Sequence, residues 1–232
     1  MMKADLHIHT CLSPCADITM TPDVIKERTK KLDVLGILDH NTSKNVKPFM
    51  KALKDKVVVP ALEIQSVEDV HILGFFEKLE DSLRVSEILE NHLPNIVHDH
   101  EKFGYQLYVD ESGRFVGYED KPLGFPTDLE LDEVVDLILR RNGIPVFAHV
   151  ERKFGVLYQL GVFPKTPVRI AEVASEEGYE LAKKGDFVVI TSSDAHTPED
   201  IGRRTIWLEC DDKSVKSVLS CLLSGKVITP WG

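Results

Sequence analysis

Short apolar runs rich in β-branched residues recur along the chain, and amphipathic stretches separate them. This alternation predicts strands that alternate with helices, which is the pattern of a parallel sheet. Seven such runs occur in 232 residues, a length typical of one α/β barrel. We therefore predict an α/β protein with a single barrel domain over residues 1–232. The predicted strands are Ala4–Ile8, Val34–Leu38, Val57–Ile64, Val70–Phe76, Ile144–Ala148, Arg169–Ala174 and Phe187–Ser192, with Thr205–Glu209 as a further candidate.

One segment interrupts this alternation. Tyr105–Asp110 and Arg114–Glu119 flank Glu111-Ser112-Gly113, which predicts a β-hairpin with glycine in its turn. We interpret residues 92–128 as an insertion between barrel units. A surface excursion is the first interpretation; a lid that faces the substrate and an oligomer contact are the alternatives.

Histidine and carboxylate side chains lie at the carboxyl ends of the predicted strands. His7 and His9 share one face of the first strand, because alternate strand residues point the same way. In a parallel barrel the loops after the strands form one mouth, where active sites lie. Structural histidines have no reason to prefer that end, so the pattern predicts a functional site. Its other members are Asp17, His40, Glu63, His149, Asp194 and His196, together with His71, which starts its strand rather than ending it.

These nine side chains are more than one metal ion needs. Six imidazoles and three carboxylates suit two or three ions, with a carboxylate bridging a pair. Nitrogen and oxygen ligands fit Zn²⁺, Mn²⁺ or iron and do not choose between them. His92, His98 and His100 lie in the insertion with no apolar strand before them, so we leave them out of the set.

Six short motifs occur in order between residues 5 and 196. They are Asp5-Leu6-His7-Ile8-His9-Thr10, Leu38-Asp39-His40, Ala61-Leu62-Glu63-Ile64, His71-Ile72-Leu73-Gly74, Ala148-His149 and Ser193-Asp194-Ala195-His196. Together they resemble the motifs of the PHP family, the polymerase and histidinol phosphatase group of metal-dependent phosphoesterases. The resemblance implies a distorted (β/α)7 TIM-like barrel with a trinuclear metal site.

The resemblance also implies how the ligands divide among three ions. His7, His9, Glu63 and Asp194 would hold the first, and Glu63, His71 and His149 the second, while Asp17, His40 and His196 would hold the third. Family members differ at the position of Asp17, where some have His or Glu. The loop Cys11-Leu12-Ser13-Pro14-Cys15 departs from the commoner family loop and brings two thiols near the site. We expect ordinary loop thiols there, with a redox or metal role as the alternative.

From this set we hypothesise phosphoester hydrolysis in which a metal-bridging hydroxide attacks phosphorus in line. The predicted catalytic residues are Glu63, Asp194 and His196. Asp39 is expected to orient a neighbouring ligand.

The expected substrate is a small phosphorylated compound, either a phosphomonoester or a phosphodiester. Arg152, Lys153 and Arg203 follow ligand motifs and are predicted to bind its phosphate. Three alternatives stay open. They are trimming of nucleotides or oligonucleotide ends, an inactive metal-binding regulatory or partner-docking domain, and amide hydrolysis by the same two-metal chemistry.

Charge and composition limit the expected partners. The formal net charge of −10 leads us to expect no long nucleic acid, because such binding needs Lys and Arg to neutralise phosphates. We also expect no membrane, since no apolar run is long enough to span one and no secretory segment precedes the first motif. A cytoplasmic location with four reduced cysteines follows as an expectation. The oligomeric state stays open.

Overall fold

Buried apolar runs form the strands of the protein, which a computed structural model describes over residues 1–232. Nine strands make one curved sheet and two make a separate hairpin. The strands are β1 (Met2–His9), β2 (Val34–Leu38), β3 (Val57–Gln65), β4 (His71–Phe76), β5 (Leu107–Val109), β6 (Phe115–Tyr118), β7 (Gly143–Phe147), β8 (Ile170–Glu172), β9 (Val188–Ile190), β10 (Ile206–Leu208) and β11 (Val227–Ile228).

Helices connect most of these strands on the outside of the sheet. They are α1 (Pro22–Arg28), α2 (Val46–Ala52), α3 (Leu79–Leu89), α4 (His100–Phe103), α5 (Leu131–Arg140), α6 (Val156–Leu160), α7 (Glu176–Lys184) and α8 (Val215–Leu223). Proline at the first turn begins α1, and a reciprocal pair of Glu130 and Glu133 hydrogen bonds caps α5. None of these helices is both long and apolar enough to cross a membrane.

The large sheet has the strand order β11-β10-β1-β2-β3-β4-β7-β8-β9. It curls so that the segment after β9 returns to β1: the amide of His9 donates to the carbonyl of Ala195, and the amide of Ala195 donates to the carbonyl of His7. The sheet is therefore a nearly closed barrel, and the predicted α/β barrel with a hairpin insertion is confirmed. Gly36 allows β1 and β2 to approach, since a Cβ there would lie 2.1 Å from the carbonyl oxygen of Leu6.

The alternation of strands and helices predicted a parallel sheet, but the observed sheet is mixed. β4 runs antiparallel to both β3 and β7, and β10 runs antiparallel to β1 and β11. Only residues 66–70 join β3 to β4, and a connection that short cannot cross over to make a parallel pair. The reversal has a consequence for the site, because the first residue of β4 lies at the same end of the barrel as the last residues of β3.

The core has two layers. One fills the barrel and includes Leu6, Ala61 and Phe75, while the other lies between the sheet and the outer helices and includes Ile72 and Val135. All five of these side chains are essentially inaccessible to solvent. Burial on both faces explains why the strands are continuous apolar runs.

The insertion contains the predicted hairpin, formed by β5 and β6, and packs on the loops at one end of the barrel. The side-chain amide of Asn45 donates to the carbonyl of Leu107, and that of Asn41 donates to the carbonyl of Leu123. The loop after β2 therefore holds the insertion next to the strand ends that bear the histidines.

Candidate metal centre

The ends of six barrel strands bring the predicted histidines and acidic residues to one mouth. His7 and His9 lie at the end of β1, where alternate residues share a face. His71 starts β4, and the antiparallel register places it opposite Gln65 near the end of β3. His71 therefore lies at the same mouth as the other residues, although it starts its strand. The residues that the structure gathers there are His7, His9, His40, Glu63, His71, His149, Asp194 and His196.

Four of these side chains surround one point. The Nε2 atoms of His7 and His9 are 3.1 Å apart, and each lies 3.4–3.7 Å from a carboxylate oxygen of Glu63 and from Oδ1 of Asp194. Ligands that lie about 2.0–2.1 Å from one tetrahedral zinc ion are separated from each other by about 3.4 Å. The two imidazole nitrogens therefore have the spacing from each other and from both carboxylates that ligands of a shared ion require.

Hydrogen bonds behind the two histidines fix which nitrogen faces this point. Nδ1 of His7 donates to Oε2 of Glu172 at 2.9 Å, and Nδ1 of His9 donates to Oγ of Ser13 at 2.8 Å. Oγ of Ser13 in turn donates to Asp39 at 2.6 Å, so Asp39 orients His9 through Ser13. When both rings are neutral, their Nε2 atoms present lone pairs to each other, and a cation between them would relieve that repulsion. The residues present therefore fit a metal ion.

Glu63 is the centre of the wider cluster. Its Oε1 lies 2.9 Å from Nδ1 of His71 and 3.2 Å from Nε2 of His149, while its Oε2 lies 3.1 Å from Nδ1 of His40. Burial opposes ionisation of this carboxyl, but the positive charges of His71 and His7 outweigh burial and hold its pKa well below the usual range. An ionised carboxylate whose two oxygens both contact imidazoles is suited to bridge two cations.

A third group of donors consists of His40, His196 and the unexpected Cys15. Nε2 of His40 lies 3.2 Å from Sγ of Cys15, and the rings of His9 and His196 have their centres 4.1 Å apart. Burial raises the pKa of the Cys15 thiol, but the charge of His40 and hydrogen bonds from His196 and His40 lower it to about 6. The structure does not bring Asp17 into this group: its exposed carboxylate accepts hydrogen bonds from the amide and hydroxyl of Thr19 at 2.8 and 2.7 Å.

Strained backbone accompanies the ligands. Asn41, His149, Phe154 and Asp194 all have positive φ, between 23° and 66°, although none is glycine. Such conformations are unfavourable for residues with a Cβ and persist only where the surroundings enforce them. Asp69, Asn142 and Asp186 also have positive φ, and Asn and Asp adopt it readily, so His149 and Phe154 in the loop after β7 are the unusual cases.

A cavity of about 270 Å³ opens over the cluster, and two of the predicted phosphate binders line it. Nη1 of Arg152 donates to Oδ2 of Asp194 at 2.7 Å, and Lys153 lies over the ring of Phe154. Arg203 does not line the cavity. Its Nε donates to the carbonyl of Ser193 and its Nη1 to Asp200, so it braces the segment before Asp194.

Glu172 is the functional candidate that sequence reasoning missed most plainly. It is buried at the end of β8 and contacts both Nδ1 of His7 and the amide of His149. The predicted strand Arg169–Ala174 places Glu172 in its interior, whereas β8 ends at Glu172 itself. Ser13 and Cys15 were visible in the sequence, but nothing there showed which loop residues would face the histidines.

A family model described as PHP-associated matches residues 174–227, which include Asp194 and His196. No curated protein sequence matches the chain.

Solved structures share the fold. The lesion-specific endonuclease Q from Pyrococcus furiosus has a TM-score of 0.71 at 16% identity, over 96% of this chain and 56% of that chain. Endonuclease Q in complex with a 27-mer duplex containing an abasic lesion has a TM-score of 0.66 at 17% identity, with the same coverage. A two-domain protein from Bacteroides vulgatus, with a domain described as a predicted PHP-like metal-dependent phosphoesterase, has a TM-score of 0.58 at 12% identity, over 97% and 63%. The chain thus spans little more than half of the endonuclease Q chains. The family-model match and the shared fold confirm the resemblance to the PHP family.

The expectation of no long nucleic acid is wrong. Endonuclease Q, whose fold this chain shares, binds duplex DNA at its active site. Net charge reports the average field of the surface, whereas a strand of nucleic acid needs favourable charge only along its track and at the reacting phosphate. The formal charge of −10 therefore excludes no polyanionic partner.

Proposed function

We propose that this protein is a metal-dependent phosphoesterase, a hydrolase that cleaves a phosphoester bond in the cavity at the mouth of the barrel. The observation that carries the proposal is the convergence of four side chains. The Nε2 atoms of His7 and His9 lie 3.1 Å apart, and each is 3.4–3.7 Å from an oxygen of Glu63 and from Oδ1 of Asp194. Structural neighbours with the same fold, including the domain from Bacteroides vulgatus, support the class of reaction.

The donor groups suit two or three divalent ions, and we propose three. His7, His9, Glu63 and Asp194 would hold the first ion, and Glu63 with His71 and His149 would hold the second. His40 and His196 would hold the third. Bound Zn²⁺, Mn²⁺ or Fe²⁺ would supply a Lewis acid and a water of lowered pKa. Glu172 and Ser13 would keep the His7 and His9 Nε2 lone pairs directed at the first position.

Arg152 is the group of this chain best placed to meet a phosphoryl oxygen. One of its five N–H groups is engaged by Asp194, and the 44% exposed side chain leaves the others free at the cavity. A guanidinium can bind two oxygens of a phosphate at once, which orients the ester as well as neutralising it. Lys153 supplies a second charge on the same rim.

The substrate's organic part has a place next to the ions. A second cavity of about 290 Å³ shares Cys15, His40, His71 and Phe154 with the first, and the insertion contributes Phe103 and Phe125 to its wall. Aromatic walls beside a cationic phosphate site suit the ring of a nucleoside or another planar group. We therefore propose that the insertion faces the substrate. Both a small phosphorylated compound and a nucleic acid strand fit this arrangement.

The test is hydrolysis after reconstitution with Zn²⁺, Mn²⁺ or Fe²⁺. The substrates are p-nitrophenyl phosphate, bis-p-nitrophenyl phosphate, histidinol phosphate, nucleoside bisphosphates and a duplex oligonucleotide with an abasic site. We expect turnover of at least one of them, with loss of activity in Glu63→Gln. The matched control is Glu68→Gln, because Glu68 accepts hydrogen bonds from the amide of Leu131 rather than from a histidine of the cluster. No turnover of any phosphoester with any of these ions, or full activity in Glu63→Gln, contradicts the proposal.

A further inference from the structure

Cys15 occupies the place at the third donor group that the family resemblance assigned to Asp17. It is the only one of the four cysteines exposed at the surface, and it lines the cavity with His40 and His196. Its Sγ lies 3.2 Å from Nε2 of His40, while Asp17 is turned outward to Thr19. The two side chains are separated by one residue, so the loop conformation decides which of them reaches the histidines.

Backbone contacts determine this conformation. The amide of Asp17 donates to the carbonyl of His196 at 2.8 Å, and the amide of Ala16 donates to the carbonyl of Ser13 at 3.0 Å. The first bond ties the loop to the segment that contains His196, and the second closes a turn within the loop. Pro14 is packed against the insertion, where a Cβ on Gly104 would lie 1.9 Å from the Pro14 carbonyl oxygen. The loop is therefore held from both sides with the thiol directed inward.

We propose that Cys15 is a thiolate ligand of the ion held by His40 and His196, in place of Asp17. The inference rests on the proposed metal-dependent function. A sulfur ligand at about 2.3 Å and a nitrogen ligand at about 2.0–2.1 Å of one tetrahedral zinc ion are about 3.6 Å apart, close to the observed separation of Cys15 and His40. On binding, the S–H bond breaks heterolytically, the electron pair binds the ion and the proton goes to water.

The other thiols cannot substitute for Cys15. Cys11 is buried and its Sγ points to the carbonyl of Leu107, and Cys221 is buried in the barrel core with Cys210 packed beside it. A single thiolate among nitrogen and oxygen donors makes this position softer than the other two. We expect it to prefer Zn²⁺ or Fe²⁺ to Mn²⁺ or Mg²⁺.

The experiment uses the protein loaded with Co²⁺, whose bond to a thiolate gives an intense near-ultraviolet charge-transfer absorption. We expect this absorption in the wild-type protein and its complete loss in Cys15→Ser, with fewer ions bound per chain. Cys15→His should restore the number of bound ions but not the absorption, because imidazole replaces sulfur. Circular dichroism of each variant verifies that it is folded.

Asp17→Asn and Cys210→Ser are the matched controls. Both should retain the absorption and the full complement of ions. An absent absorption in the wild-type protein, an unchanged one in Cys15→Ser, or loss of the ion in Asp17→Asn overturns the assignment of Cys15.

The spectrum needs no substrate, so it separates this inference from the proposed function. A thiolate absorption in a protein that hydrolyses no phosphoester supports Cys15 as a ligand and contradicts the hydrolase. Phosphoester turnover by a protein with no such absorption supports the hydrolase and contradicts Cys15 as a ligand.

Discussion

At the residue scale, the site depends on side chains that orient other side chains. Glu63 is buried among His7, His40, His71 and His149, each within 3.6 Å of one of its oxygens. The imidazoles would lose their direction without partners behind them, because each ring can rotate and carry its proton on either nitrogen. Polar residues at the ends of apolar strands predicted the inward-facing set. They did not predict Glu172, which supports His7 from behind.

Glu172→Gln is therefore a test at this scale. The amide cannot accept from Nδ1 of His7 with the strength of a carboxylate, so the His7 ring loses its fixed tautomer. We expect metal affinity to fall by about 10- to 100-fold, the usual effect of removing such a supporting partner. Zinc titration against a competing chelator measures it. Glu68→Gln is again the control, and an affinity equal to wild type in Glu172→Gln would show that His7 needs no carboxylate.

In the ligand loop, residues 10–21 between β1 and α1, the sequence does not show which side chain reaches the histidines. Cys15 and Asp17 both lie within six to eight residues of His9, and the sequence contains both. Spacing along a strand fixes the face of a residue, but spacing along a loop does not, because loop dihedral angles have no fixed period. Tertiary contacts, such as the hydrogen bond from the Asp17 amide to the His196 carbonyl, decide which side chain turns inward.

At the scale of elements, the insertion is attached to the barrel at the mouth. Its hairpin hydrogen-bonds to the ligand loop through the amide of Leu107 and the carbonyl of Cys11. Nζ of Lys44, in the loop after β2, lies 2.7 Å from both Glu119 of the insertion and Glu90 at the end of α3. The sequence predicted the hairpin from its turn, whereas its docking site depends on contacts between residues far apart in the chain.

Gly104→Ala tests the contact between the insertion and the ligand loop. A Cβ there would collide with the Pro14 carbonyl, and φ of 96° is itself unfavourable for alanine. Gly161→Ala is the matched control, because φ there is 73° but nothing lies within 4 Å of the new atom. We expect the control to lose about 1 kcal/mol of stability, and Gly104→Ala to lose more and also to bind metal more weakly. Urea unfolding and zinc titration measure the two effects, and equal losses in both variants would contradict this role of the contact.

Glu119→Gln tests the ion pair and its dependence on pH. Burial opposes ionisation of Glu119, but hydrogen bonds from Lys44 and Tyr108 lower its pKa in the folded protein. A lowered folded-state pKa gives stability that is present above the unfolded pKa of about 4.3 and lost as pH falls through the folded value. We expect Glu119→Gln to lose roughly 1 kcal/mol at pH 7, because the half-buried ammonium of Lys44 loses one of its two carboxylate partners and keeps Glu90.

Urea unfolding at a series of pH values measures this difference. The difference in the free energy of unfolding between wild type and Glu119→Gln should become smaller as pH falls below about 4.3. Glu111→Gln, which removes an exposed pair with Lys51, should behave like wild type throughout. A gap that stays constant into the acid range would show that Glu119 stabilises through packing rather than charge.

At the scale of the whole molecule, the barrel gathers imidazoles and carboxylates at one end of a chain with a net charge of −10. The net charge was therefore a poor basis for expecting no long nucleic acid, because the local field of a site, rather than the net charge, governs binding there. The cluster itself also affects stability, because a cation among its donors would bind the folded protein and not the unfolded chain.

Thermal unfolding with and without metal tests this effect. An ion that binds only the folded state contributes about 2.7 kcal/mol at 100 times its dissociation constant, which corresponds to a rise in Tm of roughly 5–10 °C. We expect Zn²⁺ to raise Tm and EDTA to reverse the rise, with a smaller effect in Glu63→Gln. Identical melting in zinc and in EDTA would contradict the metal centre.

The sequence by itself determined the barrel and most of the cluster. Apolar runs of strand length fix which segments are buried on both faces, and residues at their ends must share a mouth because the strands are packed side by side. The tertiary structure decided the rest: the antiparallel β4 that turns His71 inward, the support of His7 by Glu172, the docking of the insertion, and the inward turn of Cys15. These features depend on loop conformation and on contacts between distant residues. A pattern along the chain encodes the direction of a side chain only where the backbone is regular.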